Sequence, residues 1–258
     1  MSECPYVELE LKALSDAWFA ARKEKGIFTA SSVAHAAGLS GYATPEQYYD
    51  TLLHPERYSK MDDTVDTIEG REQEPVIADH FKSKINGTKM RECGIFYLKK
   101  CPWIRATPDR LITAGPFRGY FVEIKNSRHV LYERPKVEHI TQCHVQMFCT
   151  NRTRQFLVYH CNNELRVFIV YFSRNFWLFL YLRLERMREL WMENKEWKFD
   201  WPNSYIATTE MWAGKPMPEE WYATCGCKTY HVHPLFHYNG RTMCEHIPPR
   251  PKWDEISL

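Results

Sequence analysis

Apolar side chains recur at helical spacing in several stretches of the chain, which predicts amphipathic helices. In the first stretch, four apolar residues share one stripe: Leu11, Leu14, Trp18 and Ala21. The predicted helices lie within residues 8–25, 27–41, 69–85, 136–150 and 174–198. The polar, turn-rich stretch from Tyr42 to Asp66 predicts short helices and loops.

Two of these helices carry further predictions. In 27–41, a short extended segment precedes a helix that Thr29 or Ser31 could cap and that ends at Gly38 or Gly41. In 69–85, Pro75 is acceptable only early in the helix. Four side chains of that helix are predicted to face inward: Val76, Ile77, His80 and Phe81.

Runs of β-branched and aromatic residues between Gly and Pro residues predict strands in the middle of the chain. They cover residues 93–98, 103–112, 119–125, 154–161 and 165–172, and the last two form a hairpin across Asn162-Asn163. Strands between flanking helices predict a mixed α/β (α+β) fold, with a central mixed sheet covered by helices on both faces.

The composition changes at Pro202, after which Pro, His, Cys and Trp dominate. We therefore interpret residues 1–201 as the main domain and 202–258 as a small appendage. A chain of 258 residues is long enough for this division, because single cores stop growing near ~250–300 residues.

The formal net charge is only +2, so any DNA-binding surface must come from local clusters of Lys and Arg. Such clusters occur at residues 22–25, at Lys99-Lys100 and at Arg152 with Arg154, although solvated surface charge explains each equally well. The N-terminal residues lack the pattern of a secretory signal, so we expect an intracellular protein, nuclear or cytoplasmic, with reduced cysteines. The most apolar stretch, 165–182, contains charged residues and predicts no membrane span.

Two acids and a lysine lie on the consecutive predicted strands that meet near Gly115-Pro116. A hairpin that turns at residue 116 places Asp109 opposite Glu123, and such pairs have Cβ atoms roughly 4.5–5.5 Å apart. The two-residue period of a strand then places Lys125 beside Glu123.

Facing carboxylates repel each other unless a cation lies between them, which favours Mg²⁺ or Mn²⁺. Such an ion acidifies a bound water and neutralises charge on a phosphate undergoing cleavage, and an adjacent ammonium can assist. The alternative is a surface hairpin in which Lys125 merely pairs with Glu123 or Asp109.

Five segments in order resemble the lambda exonuclease or YqaJ-type viral recombinase family of the PD-(D/E)xK nucleases, whose core is restriction-endonuclease-like. They are Thr29-Ala30-Ser31; Gly70 with Glu74-Pro75 and Ala78; Thr107-Pro108-Asp109-Arg110-Leu111; Glu123-Ile124-Lys125; and Gln142 with Gln146-Met147. The resemblance extends from about Trp18 to about Leu190.

The resemblance implies a role for each matched position. Asp109, Glu123 and the Ile124 carbonyl would be metal ligands, Lys125 the catalytic lysine, and Glu74 a helix carboxylate that reaches the metal. Three polar residues would line the side of the substrate phosphate: Ser31, Thr107 and Gln142. Three of these residues also have an ordinary interpretation: Glu74 as a solvated carboxylate, Ser31 as a helix cap and Gln142 as a surface amide.

The chain departs from the family at two positions. Glu24 stands where the family has a basic residue seven positions before the serine, which leaves the nearby Arg22 and Lys25 as candidates for contact with the substrate phosphate. Thr107 replaces the more usual serine and keeps its hydroxyl group.

The resemblance implies a metal-dependent exonuclease of DNA recombination or repair that degrades one strand of duplex DNA from a 5′ end. A single-strand annealing protein would be its partner, and a ring-shaped homotrimer its assembly. Two alternatives stay open at this point: a sequence-tolerant endonuclease of the same fold, and a DNA-binding or recruitment protein without catalysis.

The C-terminal residues contain a C-x-C pair followed by a C-x-H pair, which suits a tetrahedral Zn²⁺ site. The ligands would be Cys225, Cys227, Cys244 and His246, a pattern that resembles the SWIM type of zinc finger. Three histidines between the pairs could substitute for one ligand: His231, His233 and His237. Ordinary reduced cysteines are the alternative.

Overall fold

The computed structural model describes residues 4–58, 65–199, 201 and 232–237. Seven helices and ten strands lie within these residues. In chain order they are β1 Tyr6–Leu9, α1 Asp16–Lys23, β2 Phe28–Thr29, α2 Val33–Ala36, α3 Pro45–Leu53, α4 Pro55–Tyr58, α5 Val65–Ser83, β3 Lys89–Glu92, β4 Ile95–Leu98, β5 Cys101–Ala106, β6 Arg110–Ala114, β7 Phe121–Asn126, α6 Val137–Cys149, β8 Arg154–Cys161, β9 Glu164–Tyr171, α7 Arg174–Met192 and β10 Val232–His237.

The strands form two sheets. A six-stranded sheet has the order β10-β9-β8-β7-β6-β3, and a four-stranded sheet has the order β1-β4-β5-β2. Most neighbours are antiparallel, but β7 is parallel to β8 and β2 is parallel to β5. The predicted mixed α/β architecture is confirmed.

Alternation along β7 divides the core between the two faces of the larger sheet. Val122 and Ile124 lie in one apolar cluster with Ile77 and Phe81 of α5, whereas Phe121 lies in the other cluster. Helix α6 packs against β8 and β9 and also against β4 and β5, so it joins the two sheets. Both faces of the strand are therefore covered, as a buried central strand requires.

Three predicted elements agree closely with the structure. Helix α6 occupies the predicted 136–150 segment, and α7 starts where predicted but ends at Met192. The hairpin of β8 and β9 turns at Asn162 and Asn163, whose φ angles are 48° and 65°. Asn tolerates this left-handed conformation better than most residues, so the pair suits a two-residue turn.

The predicted helix at 8–25 is wrong in its first half. Residues Tyr6–Leu9 pair as β1 with β4, and α1 begins only after Ser15, whose Oγ accepts from the Trp18 N–H at 3.2 Å. No residue of α1 is buried, and Leu14 is 48% exposed. Pairing depends on Gly94, where a Cβ atom would lie 2.1 Å from the Leu9 carbonyl oxygen. The apolar residues at helical spacing in this segment therefore do not form a buried face of a helix.

The predicted strand at 103–112 is two strands in different sheets. Strand β5 ends at Ala106 and β6 begins at Arg110, with Pro108 between them. Proline has no N–H to donate to a ladder, so it suits this break. Strand β3, which pairs with β6, was not predicted.

Two predictions about helices also need correction. The N-cap of α2 is Ser32 rather than Thr29 or Ser31, although the helix ends before Gly38 as predicted. Helix α5 begins at Val65, so Pro75 lies inside it. Ile77 and Phe81 are buried as predicted, but Val76 is 62% exposed.

Strand β10 comes from the predicted appendage and pairs with β9 at the edge of the larger sheet. The proposed division at residue 202 stays a prediction. The four predicted zinc ligands, Cys225, Cys227, Cys244 and His246, lie outside the described residues. Among the helices that the structure describes, none is both long and apolar enough to cross a membrane.

Candidate functional site

Asp109 lies at a bend directly before β6 and binds the backbone of β7. Arg110 pairs with Val122 and Leu111 with Phe121, and this register, continued by one residue, sets Asp109 opposite Glu123. The Asp109 N–H donates to the Val122 carbonyl at 3.1 Å, and its Oδ2 accepts from the Ile124 N–H at 2.6 Å. The register that the hairpin midpoint predicted is therefore present.

Glu123 is almost fully buried and both of its carboxylate oxygens have donors. Oε1 lies 2.7 Å from Lys125 Nζ and accepts from Gln142 Nε2 at 2.6 Å. Oε2 accepts from the Gln146 amide nitrogen. Gln155 Nε2 donates to Gln146 Oε1 at 2.6 Å, which fixes the orientation of that amide.

Gln142 connects the lysine to the acid. Its Oε1 accepts from Lys125 Nζ at 2.9 Å while its nitrogen donates to Glu123. The three side chains thus form a closed triangle at the carboxyl end of β7. A buried network in which every member has a partner is rigid, so the ammonium group is held at a defined position.

Glu74 on α5 does not join that triangle. Its carboxylate forms a salt bridge with Arg110, which also donates to the Asp109 carbonyl at 2.7 Å. The Arg110 side chain is only 9% exposed. Over the described part of the chain, no three His, Cys, Asp or Glu side chains form a group that could hold a metal ion.

Burial and mutual repulsion shift the pKa values of the acids. Burial raises the pKa of Asp109 well above its ordinary value, and the charges of Glu123 and Glu74 raise it further. Burial also raises the pKa of Glu74, although Arg110 opposes that effect. Burial lowers the pKa of Lys125, but Glu123 and Asp109 raise it by more, so the net shift is upward. The site therefore combines a charged ammonium with acids that disfavour one another's ionisation.

A second group of polar side chains lies at the other wall of the same cleft. Arg22 donates to Ser31 Oγ at 3.1 Å and to Thr107 Oγ1 at 3.5 Å, and its guanidinium stacks on the Trp18 ring at 4.2 Å. Burial lowers the pKa of Arg22 to about 10, which still leaves it charged at neutral pH. A guanidinium beside two hydroxyl groups is suited to an anion.

Lys25, predicted as a candidate for contact with the substrate phosphate, lies outside this cleft. Its Nζ donates to Asn194 Oδ1 at 2.6 Å on the exposed surface, because α1 ends at Lys23 and the chain turns away. Glu24 pairs with Arg105 at 2.9 Å. Arg22, two residues before the position of the family's basic residue, is the cation that lies beside Ser31 in this structure.

The other residues predicted for the nuclease site all line one cleft of about 610 Å³. They are Arg22, Ser31, Glu74, Thr107, Asp109, Glu123, Ile124, Lys125 and Gln142. Sequence reasoning assigned no role to Arg110, Gln146 or Gln155. Arg110 and Gln146 lie within the segments that resemble the family, so the sequence could have indicated them. No sequence motif marks Gln155, because it reaches the site through the pairing of β8 with β7.

The sequence profile of the YqaJ-like viral recombinase domain matches residues 17–153 of this chain. The chain belongs to that family. The matched segment contains all of the cleft residues named above. No curated protein matches the chain.

Solved structures support the same fold for this YqaJ-like domain. The crystal structure of an alkaline exonuclease, LHK-Exo, from Laribacter hongkongensis matches with a TM-score of 0.58 and 20% sequence identity. The match covers 76% of this chain and 98% of that chain. The structure of LHK-Exo in complex with dAMP matches equally well. At this identity the likeness establishes the shared fold.

Proposed function

We propose that this protein is a metal-dependent DNA exonuclease that hydrolyses phosphodiester bonds from the ends of duplex DNA in the 5′ to 3′ direction. The observation that carries the proposal is the arrangement of Asp109, Glu123 and Lys125 in one cleft that also contains an anion-binding wall. Membership of the YqaJ-like family and the fold shared with an alkaline exonuclease support it.

The donor set fits a hard divalent cation. Asp109, Glu123 and the Ile124 carbonyl supply oxygen atoms, the type of ligand that Mg²⁺ and Mn²⁺ prefer. Burial, followed by the charges of Glu123 and Glu74, raises the pKa of Asp109, and a bound cation would oppose that shift. Glu74 would join these ligands, directly or through water, only after leaving Arg110. When bound, the ion would acidify a water molecule and neutralise charge on the scissile phosphate.

Lys125 is the proposed catalytic lysine. Its ammonium is held by Glu123 and Gln142 within the cleft, so it would meet the scissile phosphate without having to be ordered first. A fixed positive donor of this kind stabilises the charge that develops on the phosphate oxygens during hydrolysis. In this interpretation Gln142 positions the lysine.

Arg22, Ser31 and Thr107 are the proposed site for the terminal 5′-phosphate. A terminal phosphate carries more negative charge than an internal one, and a guanidinium with two hydroxyl donors would favour it. This wall, placed in the same cleft as Lys125, supports cleavage from a 5′ end.

The decisive experiment is digestion of linear duplex DNA that carries a label at one end, with and without a 5′-phosphate. We expect release of labelled nucleotides from the 5′ end in Mg²⁺, faster with the phosphate, and none in chelator. Covalently closed circular DNA should stay intact. Cutting of the circle would indicate an endonuclease, and absence of cleavage under every metal condition would contradict the proposal.

Further parts of the proposal concern assembly and the C-terminal residues. We propose a homotrimer, a single-strand annealing protein as partner and a role in DNA recombination or repair, all by analogy with the family. We also propose a domain boundary near residue 202 and a structural zinc ion at Cys225, Cys227, Cys244 and His246. Sedimentation equilibrium would measure the assembly. Zinc analysis of the purified protein, with Cys225→Ser as comparison, would test the metal.

A further inference from the structure

A second pocket, of about 410 Å³, meets the cleft at Lys125 and Asn126. These two residues line both cavities and lie at the end of β7. The rest of the second pocket comes from the loop between β7 and α6, from His139 on α6, from Tyr42, and from Glu69 on α5. We call it the β7–α6 pocket. It shares only Lys125 and Asn126 with the cleft that holds the acids.

Positive charge predominates in the β7–α6 pocket. Among the described residues that line it, Lys125, Arg128 and Lys136 are cationic and Glu69, which pairs with Arg128, is the one carboxylate. Burial lowers the pKa of Lys136, but its hydrogen bond with Tyr132 and the nearby charges of Tyr132, Tyr42 and Glu138 together raise it by more, so the net shift is upward and the amine is charged at neutral pH. The lining is therefore suited to an anionic ligand.

Aromatic rings accompany these charges. Lys136 Nζ lies 4.4 Å from the centroid of the Tyr132 ring, and Tyr42 at the rim is 79% exposed. Cationic groups interleaved with exposed aromatic rings are typical of surfaces that bind single-stranded nucleic acid, where phosphates contact the cations and bases stack on the rings. A nucleotide is thus the chemical class that fits both features.

The position of the pocket indicates which nucleotide it would bind. If the terminal phosphate lies at Arg22 and the scissile phosphate at Lys125, the strand must leave the cleft beyond Lys125. The β7–α6 pocket opens at that point. We infer that this pocket, on the basis of the proposed function, binds the nucleotide directly 3′ of the scissile phosphate on the strand that is cleaved, with Lys136 at its next phosphate and Tyr42 at its base.

The inference predicts an energetic coupling between Lys136 and one phosphate. We would measure the affinity for 5′-phosphorylated duplex in chelator over a series of salt concentrations, with the parent, Lys136→Gln and Lys136→Arg. Lys136→Gln should lower the slope of log affinity against log salt by about one, as expected for loss of one phosphate contact, and Lys136→Arg should restore it. Lys89→Gln on β3, an exposed lysine outside both cavities, is the matched control and should leave the slope unchanged.

The DNA supplies the second half of the test. An uncharged methylphosphonate at the linkage that follows the scissile one should have the same effect as Lys136→Gln, and the two changes together should have no greater effect than either alone. The same modification ten linkages away should be additive with Lys136→Gln. Additive effects at the adjacent linkage would overturn the inference.

Failure of the inference and failure of the proposed function give different results. Absence of cleavage by the parent would refute the nuclease, whereas the binding measurements need no cleavage and would still test the pocket. The base contact has its own readout: Tyr42→Ala should weaken binding of the normal duplex but not of one that is abasic at that nucleotide, and Tyr42→Phe should bind both as the parent does. Equal loss for both duplexes would exclude stacking.

Discussion

Arg110 forms a salt bridge with Glu74 and thereby connects β6 to helix α5 at the cleft. Arg110 is 9% and Glu74 29% exposed, so both charges are largely removed from water. Removing one partner of such a pair leaves the other charge uncompensated. The pair therefore contributes to stability and also determines where the Glu74 carboxylate is held.

We expect Arg110→Met to lower the free energy of unfolding by about 2 kcal/mol in chelator, because the largely buried Glu74 carboxylate loses its partner. Arg110 lowers the pKa of Glu74, so the substitution should also raise that pKa further. Urea denaturation would measure the change. Arg186→Met, which removes an exposed partner of Glu189, is the control and should cost about 0.5 kcal/mol or less. Arg110→Met with Glu74→Gln should recover most of the loss, and no recovery would argue against the pair.

The raised pKa of Asp109 predicts the pH dependence of stability without metal. The unfolded carboxyl releases its proton near pH ~4, whereas the folded one retains it to higher pH. Between these two values the folded state binds more protons, so the stability of the parent should fall as the pH rises through this range. Asp109→Asn should show a smaller decrease, because only Glu74, whose pKa is also raised, then contributes to it. Urea midpoints between pH 4 and 8 would check it, and parallel curves for the two proteins would contradict the expectation.

Removal of either proposed ligand should abolish hydrolysis. We expect Asp109→Ala and Glu123→Ala to release no nucleotides from linear duplex in Mg²⁺, while circular dichroism and DNA affinity stay close to those of the parent. Glu123→Ala also leaves the amides of Gln142 and Gln146 without their acceptor. Cleavage by either variant at the parent rate would refute the assignment.

Lys125→Ala should reduce the single-turnover rate by a factor of about 10² or more, because it removes a transition-state donor. Affinity for DNA should change much less, since the lysine is one of several cations near the strand. A matched comparison is Gln142→Ala, which removes a positioning contact of the same ammonium and should have a smaller effect. An unchanged rate for Lys125→Ala would eliminate the lysine from catalysis.

Selectivity for a terminal phosphate should depend on Arg22 and not on Lys25. Arg22→Ala should bring the kcat/KM values for 5′-phosphorylated and 5′-hydroxyl duplex close together, because the guanidinium beside Ser31 and Thr107 is lost. Lys25→Ala, which removes a contact with Asn194 outside the cleft, should keep the preference of the parent. If both variants retained it, the 5′-phosphate would have to bind elsewhere.

The core of the candidate site could be predicted from sequence because local rules determine it. A hairpin that turns at residue 116 sets the register of its strands, and the two-residue period then sets the side of Lys125. The structure has that register, with Arg110 opposite Val122. The partner of Glu74 could not be predicted in this way, because it depends on how α5 packs beside β6.

Other errors arose where tertiary pairing overrode a local pattern. Residues 8–15 have helical spacing, yet Tyr6–Leu9 form a strand because β4 offers an open edge and Gly94 allows close approach. Pro108 interrupts the predicted strand at 103–112, and this proline was a local indication that the strand ends there. The sequence could not decide between Arg22 and Lys25 as the phosphate contact. The position of Arg22 beside Ser31 depends on how the chain turns after α1, and sequence spacing does not determine it.

Helix α6 joins the two sheets and also carries the amides of Gln142 and Gln146 that bind Glu123. During synthesis, the acids and the lysine leave the ribosome before this helix does. A nascent chain that ends at β7 therefore has every charged group of the site but none of the amides that orient them. The amides of the site are in place only when the helix docks, so under the proposed function an unfinished polypeptide would not yet hydrolyse nearby DNA.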